Sequence, residues 1–99
     1  MDPELMKEFT ERLGRRLRRI RYRDSVGLYP REKASAYHFL KAQGMWSADG
    51  IITVYRGIRD GGCRYPLYVR NYVCETYRHV LMYTVRKSSR FSHAEDIKQ

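Results

Sequence analysis

Five apolar residues near the start of the chain, Leu5, Phe9, Leu13, Leu17 and Ile20, recur at spacings of three and four. That period lines them up along one side of an α-helix, and such a stripe is stable in water only when other chain covers it. The rest of the sequence must therefore supply a surface to pack against. The helix has its own start signals. Asp2 is placed to cap it, Pro3 fits its first turn, and Glu4 and Glu8 lie near the positive end of its dipole. Gly14 costs about 1 kcal/mol relative to alanine inside a helix and reads as a site of close packing or a bend.

The same segment carries "RRLRRIRYR" at residues 15–23. Projected at 3.6 residues per turn, Arg12, Arg15, Arg16, Arg19 and Arg23 form a basic edge on one flank of the stripe. Glu8 with Arg12 and Glu11 with Arg15 have the i,i+4 spacing of ion pairs, so part of this charge is expected to be neutralised within the helix. No acidic residue follows until Asp24. Over the whole chain 20 Lys+Arg face 11 Asp+Glu, a formal charge of +9, and fifteen of the twenty are arginine. Such a balance favours polyanionic partners, and the planar guanidinium suits phosphate because it bonds two oxygens at once.

Ninety-nine residues make about one domain with a single modest core, which excludes a large multi-site enzyme. After the breakers in "DSVGLYP", the run "PREKASAYHFLKAQG" reads as a second helix, with Pro30 in its first turn, Gly44 as its stop, and Ala36, Tyr37, Phe39 and Leu40 inside. "MWSADG" reads as a turn with Trp46 as a core plug. From Ile51 onward, "IITVYRGI", "CRYPLYVRNYVC" and "RHVLMYTVRK" are rich in β-branched and aromatic residues and predict a three-stranded antiparallel meander. Pro66 then has to sit at an edge, a strand start or a bulge. The expected fold is α+β: two N-terminal helices packed on one face of a three-stranded antiparallel sheet. Residues 1–90 form the domain, and 91–99 a short helix or tail.

On the second run, strict alternation sends Tyr65, Leu67, Val69 and Val73 to the core and Arg64, Tyr68, Arg70 and Tyr72 outward. On the third, Leu81, Tyr83 and Val85 alternate against Arg78, Met82, Thr84 and Arg86. An outward face of arginine and tyrosine offers phosphate contact and base stacking together. The expected function is non-catalytic binding of nucleic acid. The helix edge (Arg12, Arg15, Arg16, Arg19, Arg23) would hold phosphates, and the sheet face (Arg64, Tyr68, Arg70) would hold bases. RNA or single strands are slightly favoured, because stacking needs unpaired bases. The alternative is a small protein-binding module, such as a phage or viral inhibitor, that docks on an acidic protein, since arginine and tyrosine are also interface hot-spot types. A membrane-surface helix is disfavoured, because the stripe would be needed twice. A homodimer is expected where the stripe exceeds what one sheet covers.

"VYRGIR" at 54–59 locally resembles the first strand of the plant ethylene-response-factor DNA-binding domain. The order helix, three strands, helix is similar to that of double-stranded RNA-binding domains. The tryptophan expected on strand two of the former is absent, as are the glycine-rich turn and lysine cluster of the latter, so neither family is assigned. "VYRG" also resembles the first strand of ADP-ribosyltransferases, whose glutamate motif is missing. Cys63 and Cys74 form no C-x-x-C pair, and no signal peptide is read ahead of them, so buried free thiols in an intracellular, reducing compartment are expected. Cys74 and His79 lack a third catalytic partner. No zinc spacing or phosphate-cradling glycine loop occurs, so neither metal nor cofactor is expected.

Overall fold

The computed structural model describes residues 2–19, 31–61 and 64–88, and among them the chain forms four α-helices and no strand. They are α1 (Pro3–Arg19), α2 (Arg31–Ala42), α3 (Ala48–Arg59) and α4 (Leu67–Lys87). The first helix begins as the sequence predicts, with the Glu4 amide donating to Asp2 Oδ1 at 3.1 Å. Leu5, Phe9, Leu13 and Leu17 are all buried. Ile20, Arg23 and the tail 91–99 lie outside the described residues.

The second helix ends at its predicted stop. Gly44 has φ +70°, the left-handed conformation that favours glycine. Around it the Gly44 amide donates to the Lys41 carbonyl at 3.0 Å and the Met45 amide to the Leu40 carbonyl at 2.8 Å. This paired arrangement satisfies carbonyls that a helix end otherwise leaves open. Ala36 and Leu40 are buried, while Tyr37 and Phe39 are half-buried at its margin.

The predicted three-stranded sheet does not form, and the α+β architecture gives way to an all-helical one among the described residues. "IITVYRGI" lies inside α3. The second and third runs merge into the 21-residue α4, with the "ETY" separator in mid-helix. Two local signals account for α3. The Ser47 hydroxyl accepts from the Gly50 amide at 3.0 Å, so "MWSADG" is a helix cap, and Asp49 sits in the first turn. For α4, Pro66 immediately precedes the first turn, where a missing amide donor is harmless, and its carbonyl accepts from Arg70 at 3.0 Å. The resemblances carried by "VYRG" fail with the strand, because those residues are helical.

The fourth helix is the centre of the fold and touches each of the other three, while α1 also packs on α3. It buries Val69, Tyr72, Val73, Thr76, Tyr77, Val80 and Thr84, a helical stripe at spacings of three and four. Alternation is overturned residue by residue. Tyr72 and Thr84, expected outside, are buried, whereas Leu67 and Tyr83, expected inside, are 66% and 52% exposed. Thr84 is accommodated because its hydroxyl donates to the Val80 carbonyl at 2.7 Å. Tyr77 joins three helices: its ring meets Phe9 of α1 edge-on at 4.8 Å and stacks on Tyr55 of α3 at 3.7 Å. Trp46 serves as the predicted plug. It stacks near Tyr72, and its indole N–H donates to the Leu17 carbonyl at 3.1 Å, which satisfies an open acceptor in the last turn of α1.

Candidate functional site

Once α1 presents Leu5, Phe9, Leu13 and Leu17 to the core, helical geometry fixes where its arginines stand. Arg12 and Arg16, and Arg15 and Arg19, stand four residues apart, and Arg12/Arg15 and Arg16/Arg19 three, so all four share one flank and cannot leave it. Beside them runs the C-terminal half of α4. Between the two helices lies a groove of about 520 Å³, lined from α1 by those four arginines and from α4 by His79, Val80 and Tyr83. A shallower depression adjoins it across His79 and Tyr83 and adds Arg78, Met82 and Arg86. No carboxylate lines either concavity among the described residues.

The groove is both charged and organised. The Arg12 guanidinium stands over the Tyr83 ring, 5.4 Å from its centroid, and Lys87 Nζ lies 5.7 Å from the same centroid. Cation–π attraction of this kind is worth about 0.5–1 kcal/mol at exposed sites and more where water is excluded. Nη1 of Arg12 is buried without a hydrogen-bond partner, so packing against Tyr83, rather than an internal acceptor, holds this side chain. Neither Glu8–Arg12 nor Glu11–Arg15 forms as an ion pair among the described residues, and the expected neutralisation is absent. The pairs that do form lie elsewhere, Lys33 with Glu75 at 3.3 Å and Arg59 with Asp60 at 3.1 Å. Arg59 is held more basic than an ordinary arginine, first by its hydrogen bond to Asp60 and then by that carboxylate's charge.

The dipole of α1 explains part of the cluster, since Arg16, Arg18 and Arg19 occupy its last turn, where positive charge is favourable. It does not explain Arg12 and Arg15. Nor does it explain why neighbours that repel one another at i,i+4 gather without counter-charge.

Of the predicted sites, Arg12, Arg15, Arg16 and Arg19 come together. Arg64, Tyr68 and Arg70 do not join them. Arg70 is in the first turn of α4, thirteen residues and about 20 Å of helix from Tyr83. Arg64 and Arg70 are exposed, while Tyr68 is half-buried and packs on the core instead of offering a free ring. A sheet platform of arginine and tyrosine therefore does not exist. His79 and Tyr83 were not foreseen as site residues, although His79, Tyr83 and Arg86 stand at i, i+4 and i+7, the signature of one helix face.

Cys74 is half-buried, less enclosed than expected, and Cys63 lies outside the described residues. Cys74 and His79 are five residues apart on one helix, about 140° around its axis, and so do not face each other. Among the described residues no three His, Cys, Asp or Glu side chains gather to hold a metal ion, and no helix is long and apolar enough to cross a membrane. Compared with protein-family models, with curated proteins and with solved structures, the chain matches none.

Proposed function

We propose that the protein binds nucleic acid without catalysis, by holding backbone phosphates in the groove between α1 and α4. One observation carries this reading: four arginines of α1 line a concave surface in which no described carboxylate opposes them. Guanidinium groups lining a groove of this kind suit phosphate oxygens. Arg78 and Arg86 extend the positive surface along α4. A second reading, docking on an acidic protein, draws on Met82 and Tyr83, 56% and 52% exposed beside these arginines, because such residues make interface hot spots.

Salt titration tests the proposal. With four to six arginines displacing counterions, log affinity for a duplex falls against log salt with a slope of about −3.5 to −5.5. Replacing Arg15, Arg16 and Arg19 by glutamine keeps the apolar stripe, and so the fold, and shrinks that slope by about 0.9 per lost contact on a duplex or about 0.7 on a single strand. A triple variant that binds as well as the parent would remove the groove from the function. Freshly purified protein separates the two readings, because co-purified nucleic acid raises absorbance at 260 nm relative to 280 nm and an acidic protein does not.

A further inference from the structure

The expectation of a single-stranded ligand rested on a face of outward tyrosines, and the fold takes that face away. Among the described residues Tyr83 is the exposed tyrosine, and the exposed imidazole of His79 stands one helical turn before it in the groove; on α2 the His38 ring is exposed and Tyr37 is half-buried, edge-on to Trp46. Phe9, Tyr72 and Tyr77 are buried, and Phe39, Trp46, Tyr55, Tyr65 and Tyr68 are packed against the core. Tyr83 already has two cations within reach of its ring, Arg12 at 5.4 Å and Lys87 at 5.7 Å. Proteins that bind single strands combine a basic groove with a series of free aromatic faces on which successive bases stack. Among the described residues this groove has the charge but offers only two rings, His79 and Tyr83, on a single helical turn, and no longer series.

We infer that the ligand of the α1–α4 groove is a double-stranded nucleic acid, held by the phosphate ridge of one strand with no base read. This rests on the phosphate reading above and names its ligand class. A duplex keeps its bases stacked internally and asks the protein for no platform. It also carries one charge per about 1.7 Å of axis, about twice the density of one of its strands, which suits a groove walled by four arginines of α1 and continued on α4 by a depression lined by Arg78 and Arg86. From Arg12 to Arg19 the α1 wall runs seven residues, about 10 Å of helix, and Arg78 to Arg86 on α4 covers about 12 Å. Arg12, fixed against Tyr83, is the preset member of the α1 wall.

The experiment compares short mixed-sequence duplexes of DNA and of RNA with their separated strands, at two salt concentrations. The proteins are the intact chain, its Tyr83→Leu variant, and the Arg15→Gln/Arg16→Gln/Arg19→Gln variant, each checked for helical circular dichroism. The expected result is tighter binding of at least one duplex than of its strands, by about fivefold or more. Two unrelated sequences should agree within about twofold, and Tyr83→Leu, which also releases Arg12, should weaken duplex and single strands by the same factor to within about twofold. Tighter binding of single strands, with a loss of about 5- to 150-fold in Tyr83→Leu that the duplexes do not share, would mean that Tyr83 stacks on bases. That outcome overturns the duplex inference and leaves the phosphate reading standing. Absence of nucleic-acid binding, or equal binding by the triple arginine variant, overturns both. Capture by an acidic protein or by anionic vesicles in place of any nucleic acid does the same.

Discussion

Two glycines show how a single Cβ acts differently at two helix contacts. At Gly14 an added Cβ would meet the far end of the flexible Arg18 side chain at 3.2 Å and Ala48 Cβ at 4.0 Å, so there is room once Arg18 moves slightly. Gly14→Ala is therefore expected to stabilise the fold by up to about 1 kcal/mol, the helix-propensity gain. At Gly50, buried in the first turn of α3, the added atom would overlap the Met45 carbonyl and lie 2.7 Å from Met45 Cα. Backbone cannot swing aside as a side chain does, so Gly50→Ala is expected to cost about 1–3 kcal/mol, the usual range for overpacking. Thermal or urea melts of the two variants check both signs. A destabilised Gly14→Ala would mean that α1 and α3 meet more closely than the Ala48 distance implies. At the same scale Arg12 departs from the rule that buried donors find partners, and it does so at the wall of the groove.

Among the elements, α4 decides the architecture, and its centre is Tyr77. Truncation there removes the edge-on contact with Phe9 and the stack on Tyr55 together. Tyr77→Ala is expected to lose about 3–5 kcal/mol, seen as a large drop in the unfolding midpoint, whereas a loss below about 1 kcal/mol would show that α4 is not the hub. The sequence did contain α4. Val69, Val73, Thr76, Val80 and Thr84 repeat at helical spacing, and Pro66 fits a helix start better than a strand interior. The strand reading arose because valine, tyrosine and threonine favour sheets as isolated residues, and because a few positions obey a period of two by coincidence. Burial against three helices outweighs a propensity scale that spans only about 1 kcal/mol. By contrast α1 and the end of α2 were legible, since the Asp2 cap and Gly44 stop state in local chemistry what the packing then uses.

For the molecule as a whole, the described ion pairs use none of the clustered arginines: Lys33–Glu75 and Arg59–Asp60 involve no residue that lines the groove. The α1 half of the candidate site was legible because a helical stripe fixes the flank beside it. The α4 half was not, because reading strands scattered His79, Tyr83 and Arg86 over two sheet faces. On the proposed function, position and not net charge makes the surface. Arg16 and Arg18 allow that claim to be isolated. Both are exposed arginines in the last turn of α1, but Arg16 lines the α1–α4 groove, whereas Arg18 lies on the far side of the helix with Trp46 and Ser47. Arg16→Gln and Arg18→Gln remove the same charge from the same helix end. The most direct test is the salt dependence of duplex binding by these two variants. The expected result is a slope smaller by about 0.9 for Arg16→Gln and unchanged for Arg18→Gln, and equal changes in the two would remove the groove from the binding.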